Sequence, residues 1–168
     1  MSQSPRQETQ LRVQHGPDGR PVSAIATTRI ARPLAKVWAT IIEVEKFPGR
    51  VPMIHKAQRT GDRVVVDLKF KVSLLSVGFQ FTVDAKYEEG KWLELAWVAG
   101  EPKELRLRFD LEPDGDGCLL HTSAQFDTQS LGFLAKYFLK HHPEIEYGIF
   151  PGVAMSLGDS MKRAAEAD

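Results

Sequence analysis

Hydrophobic and polar residues alternate with a period of two through the middle of the chain, from about residue 64 to residue 126. Two runs, 63–74 and 77–88, show this alternation most clearly, and polar residues such as Asp67 and Lys69 stand between apolar neighbours. Alternation over two long runs is typical of antiparallel strands that bury only one face. We therefore predict two strands that pair as a hairpin.

Shorter runs with strand character lie on both sides of this hairpin, and turn sequences rich in glycine and proline separate them. The runs are 10–14, 22–30, 54–60, 91–98, 104–111 and 118–127. The first two flank the turn sequence Gly16-Pro17-Asp18-Gly19 and are predicted to pair with each other. Together, all these runs predict one antiparallel sheet with an apolar face and a polar face.

Helical spacing of apolar residues appears first at 33–45, where Val37 and Trp38 belong to one apolar stripe. Pro48-Gly49 ends this helix, and a second short helical turn is predicted at 50–53. Two short helices are therefore expected after the opening strand of the main sheet.

The chain beyond residue 127 is predicted to be helical, in three consecutive pieces. Pro143 and Pro151 interrupt the pattern, because proline lacks a backbone N–H group and its ring clashes with the preceding turn. The last piece is expected at about 152–166.

Composition limits the class of protein further. The chain has 168 residues, of which 42% are hydrophobic, which is enough for one domain with a sizeable core. Lysine plus arginine equals aspartate plus glutamate, 22 of each, so no net charge favours nucleic acid as a partner. The first ten residues lack the apolar segment of a secretory signal, and no run approaches the ~20 apolar residues of a membrane span. The expectation is a soluble cytoplasmic protein; the oligomeric state has no signal in the sequence.

Four segments together resemble the START-related and polyketide-cyclase superfamily, most of all its coenzyme-Q-binding-protein-like branch. They read TTRIARPLAKVWATI, FPGRVPMI, GDRVVVDLKF and LRLRFDLEPDGDGCLLHTSAQFD, and the resemblance covers about 22–166. It implies an α+β helix-grip fold. In that fold a curved antiparallel sheet of about seven strands wraps around a long C-terminal helix, with two short helices after the first strand.

The same resemblance suggests how the chain is divided. Residues 1–20 are expected to form an N-terminal extension that supplies one arm of an extra hairpin, and residues 21–168 a single ligand-binding domain. The segment 131–151 is longer and more broken than the single terminal helix of the superfamily. The entrance to the interior is therefore where this chain is expected to differ from its relatives.

The superfamily implies a hydrophobic ligand cavity between the sheet and the terminal helix. The residues predicted to line it are Val66, Leu68, Phe70, Phe79, Phe81, Tyr87, Leu95, Trp97, Leu107, Phe109, Thr122 and Phe126. Ligand pockets are mostly apolar with a few polar groups, but an ordinary packed core has the same pattern. The two interpretations stay open at the level of sequence.

Catalytic chemistry is weakly indicated. The predicted concave face offers only Tyr87, Thr28, Thr122 and Cys118 as polar or reactive groups, whereas His121 is expected to face outward. The one cysteine is interpreted as a buried structural thiol, and the five histidines show no metal-ligand spacing. We expect no catalytic residue, no metal and no cofactor.

The amphipathic segment 131–139 has three interpretations: a helix packed on the sheet, a mobile lid at the cavity entrance, or a transient contact with a membrane along 131–140. Its entrance or lid residues are Leu131, Phe133, Leu134, Tyr137 and Phe138.

The favoured hypothesis is therefore binding or transport of a hydrophobic small molecule, such as a lipid, an isoprenoid quinone or a polyketide-like compound. A cyclase or aromatase acting on a polyketide-like chain is the first alternative. An interaction module without a ligand is the second, and it predicts a filled core and an exposed apolar patch.

Overall fold

The residues with alternating polarity form one antiparallel sheet. The computed structural model describes residues 9–72, 74–130 and 132–167, and this part of the chain contains eight strands. They are β1 (Thr9–His15), β2 (Pro21–Ile30), β3 (Ile54–Thr60), β4 (Arg63–Val72), β5 (Leu75–Glu88), β6 (Trp92–Gly100), β7 (Arg106–Asp114) and β8 (Gly117–Gln125). About seven strands were expected; β1 supplies the additional edge strand and pairs with β2 as the predicted hairpin.

The order of strands in the sheet is β1-β2-β8-β7-β6-β5-β4-β3. The first strands of the chain therefore lie beside the last one, while β3 to β8 follow one another as a meander. The pairing between β5 and β6 shifts register between Thr82 and Val83. Such an irregularity increases the bend and twist of a strand, which suits the curved sheet.

The pairing register brings the apolar residues of neighbouring strands onto the same face. The opposed pairs include Val66 and Phe81, Leu95 and Leu107, and Phe109 and Thr122. The predicted division of the sheet into an apolar and a polar face is confirmed along these strands. It fails at Leu74, which ends the apolar alternation of the predicted run 63–74 but is fully exposed in the turn between β4 and β5.

Two helical segments follow β2, as predicted. The first is α1 (Leu34–Ile42), and the second is a single 3-10 turn at Val44–Lys46. Residues 50–53, where a helical turn was predicted, form bends and hydrogen-bonded turns instead, so that prediction is wrong. The difference is local, because Val51 is still buried in the core.

After β8 the chain forms a 3-10 turn (Thr128–Ser130), α2 (Gly132–His141) and α3 (Pro143–Glu166). The predicted break at Pro143 is confirmed, but the predicted break at Pro151 is wrong, since α3 continues through it. Phe150 before the proline and Ala154 after it are both buried against Ala24 and Ala26 of β2. This packing on both sides holds the helix together despite the lost hydrogen bond.

Helix α3 crosses the apolar face above β2 and β8. Its buried residues recur every three or four positions: Phe150, Ala154, Leu157, Met161 and Ala165. At its C-terminal end, the Glu166 carboxylate accepts a hydrogen bond from the backbone N–H of Ala31 at 2.9 Å. The side chain of Lys162 donates to the backbone carbonyl of Arg29 at 2.8 Å. The end of α3 is therefore tied to the end of β2.

The main core lies between the sheet, α1 and α3, and Phe109 of β7 is at its centre. Phe109 is fully buried, and its ring meets that of Phe47 edge to face at a centroid distance of 6.1 Å. Edge-to-face pairs contribute stability beyond the burial of their area.

Replacing this ring tests how tightly the core is packed. The Phe109→Ala variant is expected to lose about 3–5 kcal/mol of unfolding free energy, because the cavity it leaves cannot collapse. Urea denaturation followed by circular dichroism measures this loss. The exposed Lys86→Ala on β5 is the control and should change stability by less than about 0.5 kcal/mol. A loss below about 1 kcal/mol for Phe109→Ala would show a loosely packed interior.

Candidate ligand cavity

Half of the residues predicted to line a cavity are buried on the concave face. They are Val66, Phe81, Leu95, Leu107, Phe109 and Thr122. All of the apolar ones belong to the main hydrophobic cluster. The structure therefore brings these residues together, at the place where α3 and α1 meet the sheet.

A second group is only partly buried, and it marks the edge of the apolar face. It consists of Leu68, Phe79, Trp97 and Phe126. Leu68 and Phe79 are direct partners across β4 and β5. The ring of Phe126, just after β8, packs on Phe150 of α3 at a centroid distance of 4.8 Å. Large apolar side chains therefore line a margin that water still reaches.

Two of the predicted lining residues differ from the others. Tyr87 is 48% exposed, and its ring lies 6.1 Å from that of Trp38 in α1. Its hydroxyl is therefore at the solvent-exposed edge of the concave face rather than deep inside. Phe70 belongs to β4, but its side chain lies outside the described part of the structure.

Thr28 of β2 and Thr122 of β8 are the polar feature of the interior. Both are fully buried, and neither hydroxyl has a hydrogen-bond partner among the described residues. A buried hydroxyl without a partner costs about 1–3 kcal/mol, so such groups are rare without a reason. Two of them on adjacent strands make this the place where a polar atom of a ligand would gain most.

Gly158 of α3 lies directly over the two threonines, and the sequence interpretation missed it. A Cβ atom at this position would lie 2.9 Å from the Thr28 hydroxyl oxygen and 3.6 Å from that of Thr122. Glycine therefore allows α3 to approach β2 closely. The available sequence signal was a glycine inside a helix, which weakens the helix and so suggests a packing role.

The segment expected to form the entrance is α2 and the beginning of α3. Tyr137, Ile145 and Tyr147 are about half exposed there. Of the other predicted lid residues, Leu131 lies outside the described residues, and so do the side chains of Phe133, Leu134 and Phe138. None of the described helices is long and apolar enough to cross a membrane.

Cys118 is fully buried beside Ile30, in agreement with its interpretation as a buried structural thiol. Burial raises the pKa of its thiol, although the nearby Arg29 guanidinium acts in the opposite direction. A raised pKa means less thiolate, and the thiolate is the nucleophile. The position therefore favours packing over reactivity.

His121 is on the opposite, polar face of the sheet, where its ring meets Thr27 and Glu112. Within the described residues, no group of three or more histidine, cysteine, aspartate or glutamate side chains is placed to hold a metal ion.

Comparison with known proteins finds matches by structure and none by sequence. No protein-family model and no curated protein sequence matches this chain. Solved structures do match. A protein from Thermus thermophilus is 12% identical with a TM-score of 0.66, over 85% of this chain and 96% of that one. The Zhui aromatase/cyclase from a Streptomyces species is 14% identical with a TM-score of 0.60, over 94% of each chain.

A third structure, a START superfamily protein from Mycobacterium smegmatis, is 15% identical with a TM-score of 0.59, over 85% of this chain and 99% of that one. The fold is the START-like helix-grip fold. The predicted α+β helix-grip fold is thereby confirmed. At these identities the likeness concerns the START-like fold alone.

The close approach at Gly158 gives a testable difference between two glycines of α3. Gly158→Ala is expected to lower the free energy of unfolding by about 1–3 kcal/mol, because the new methyl group overpacks against Thr28. Gly152→Ala is the control, since a Cβ there meets nothing within 4 Å. It should raise stability by about 0.5–1 kcal/mol through helix propensity. Equal stabilisation by both substitutions in urea denaturation would rule out the close contact.

The buried thiol predicts slow alkylation. At about pH 8, iodoacetamide should label Cys118 on the order of 100-fold more slowly in the folded protein than in urea, because burial suppresses the thiolate and blocks access. Mass spectrometry of timed samples measures both rates. Similar rates in the two states would show that Cys118 is accessible and reactive.

Proposed function

We propose that the interior between the sheet and α3 binds a hydrophobic small molecule. The observation that carries the proposal is the pair of fully buried hydroxyls of Thr28 and Thr122, which have no hydrogen-bond partner in the described part of the chain, within an otherwise apolar face. The partly exposed apolar margin around Leu68 and Trp97 supports it. A filled core would be expected to bury such a margin and to avoid such hydroxyls.

The driving force would be desolvation. A ligand that buries ~300 Å² of apolar surface gains on the order of 7 kcal/mol before its ordering costs are subtracted. A carbonyl or hydroxyl group on the ligand would add a hydrogen bond to a threonine. Thr122 is the better partner, because Gly158 lies closer to the hydroxyl of Thr28 and covers more of it.

The entrance would lie beside α2 and the first turns of α3. Exposed aromatic residues such as Tyr137 and Tyr147 give this region an apolar surface, and Lys136 and Lys140 are exposed on α2. Opening at 131–150 would let the ligand exchange, and a transient contact with a membrane along 131–140 would suit a lipid ligand. Both are part of the proposal.

A cyclase has less support from the arrangement of residues. Such an enzyme would need an acid–base pair inside the cavity. The buried polar side chains of the described residues are all serine or threonine, and the His121–Glu112 pair lies on the other face. The ligand class, the relation to coenzyme-Q-binding proteins and the cytoplasmic location stay predictions.

Native mass spectrometry of the purified protein, followed by organic extraction, tests the proposal directly. We expect a copurifying lipid, quinone or polyketide-like compound at near one-to-one stoichiometry. A panel of such compounds should also raise the melting temperature, because a ligand that prefers the folded state stabilises it. A bare chain that no member of the panel stabilises would refute binding.

A substitution of Thr122 tests the role of the hydroxyl. Thr122→Val should raise the free energy of unfolding by up to about 1–3 kcal/mol, because a buried hydroxyl without a partner is replaced by a methyl group of similar shape. It should weaken binding of a long-chain ketone by about tenfold, while binding of the matching hydrocarbon is unaffected. Thr28→Val should have a smaller effect, and the exposed Thr60→Val none. Equal loss for the ketone and the hydrocarbon would show that Thr122 acts only through packing.

A further inference from the structure

The polar face of the sheet carries a groove of its own, of about 600 Å³, on the side opposite the proposed cavity. Its volume lies within the range of ordinary small-molecule sites, ~300–1,000 Å³. Four neighbouring strands, β1, β2, β8 and β7, form it. The lining includes Arg12, Ile25, Thr27, Leu119, His121 and Ser123.

The strand register explains how these residues come together. Arg12 of β1 lies opposite Ile25 of β2, which in turn lies opposite Ser123 of β8. Thr27 and His121 are partners in the next row of the same face. Adjacent strands are about 4.8 Å apart, so Arg12 and Ser123 flank Ile25 at a backbone separation of roughly 10 Å.

Three polar groups at this groove, those of Thr27, Asp110 and His121, already have partners. The Arg108 guanidinium donates to both carboxylate oxygens of Asp110, at 2.9–3.1 Å. His121 Nε2 lies 3.1 Å from the Glu112 carboxylate, and its Nδ1 lies 2.8 Å from the Thr27 hydroxyl.

The hydrogen bonds of His121 can be assigned from this geometry. An ionised carboxylate only accepts hydrogen bonds, so in a neutral imidazole Nε2 carries the proton and Nδ1 accepts from Thr27. Both ring nitrogens are thereby occupied, Nε2 by the Glu112 carboxylate and Nδ1 by the Thr27 hydroxyl.

Three polar side chains of the lining are left over: Gln10, Arg12 and Ser123. Within 9–72, 74–130 and 132–167, the guanidinium of Arg12 has no carboxylate partner and the hydroxyl of Ser123 has no hydrogen bond. The Arg12 guanidinium is a cation and the Ser123 hydroxyl is a hydrogen-bond donor. Ile25 lies between them in the strand register, and Leu119 lies two rows farther along the same face, beyond Thr27 and His121. The carboxylates at the groove, Asp110 and Glu112, are engaged by Arg108 and His121. Among the described lining residues, Arg12 is thus the charged group without a charged partner, which favours an anionic ligand.

We propose that this outer groove binds a small amphipathic carboxylate. The carboxylate group lies over Ile25, where it accepts hydrogen bonds from the Arg12 guanidinium and the Ser123 hydroxyl. The apolar part of the ligand extends along the groove toward Leu119. Arginine suits this role, because its planar fork matches the two oxygens of a carboxylate. The site is separate from the interior cavity and does not depend on the function proposed for it.

The test uses 2-naphthoate as the probe and 2-naphthalenemethanol as its neutral counterpart. Titration of the ¹⁵N-labelled protein should shift the backbone amide signals of β1, β2 and β8 around residues 12, 25 and 123. Arg12→Gln should weaken naphthoate binding by about tenfold, because a charge-assisted hydrogen bond is lost. Arg20→Gln is the control, because Arg20 is exposed, pairs with Asp18 and does not line the groove.

Further measurements separate the contributions of the charge, the Ser123 hydroxyl and the apolar part of the ligand. The neutral alcohol should bind to the wild type several-fold more weakly than naphthoate does. Its affinity for Arg12→Gln should equal its affinity for the wild type. Ser123→Ala should give a smaller loss than Arg12→Gln. Inorganic phosphate should bind more weakly than naphthoate, because it has no apolar part to lie along the groove toward Leu119.

Three results would overturn the proposal. They are an unchanged affinity of Arg12→Gln for naphthoate, equal affinities of the wild type for the alcohol and for naphthoate, or amide shifts confined to residues that face the interior. Stronger binding of phosphate than of naphthoate would contradict the amphipathic character of the ligand. Because the amide shifts report on location, loss of the interior function would leave this outcome unaffected.

Discussion

The close contact of α3 with β2 and β8 is the constraint on which the rest of the structure depends. Gly158 allows the helix to lie against Thr28, and Phe150 and Ala154 continue the contact onto Ala24 and Ala26. At the far end, Glu166 and Lys162 tie the helix to the end of β2. A sheet with one apolar face must be covered, and α3 covers its N- and C-terminal strands. The position of this helix therefore defines the interior and the threonines that lie beneath it.

Strands β2 and β8 each contribute to two chemically different surfaces. On β2, Thr28 faces α3 while Thr27 faces the outer groove; on β8, Thr122 faces inward while His121 faces outward. Successive residues of a strand point to opposite faces, so a single residue step separates the two environments. The interior offers hydroxyls within apolar surroundings, and the outer groove offers a cation beside paired charges. Ligands of different polarity would suit the two sites.

The strands were predictable because the alternation of polarity is strong and continuous. Leu107, Phe109 and Phe81 were placed on the buried face from their spacing alone, and they are buried there. The wrong predictions came from local sequence rules applied where the surrounding structure decides the conformation. Pro151 was expected to end a helix, but Phe150 and Ala154 are held on both sides of it. Leu74 continued the apolar alternation into a turn, where the pattern no longer has structural meaning.

By itself, the sequence determined the class of fold: the period of two, the turn sequences and the amphipathic helices are local properties that each segment carries alone. It also determined that the concave face is apolar and that His121 faces away from it. Only the tertiary structure decided which hydroxyls lack partners, that Gly158 sits over them, and that Arg12 joins Ser123 across two strands. These features depend on contacts between residues far apart in the chain, and the register and helix position that create them have no local signature.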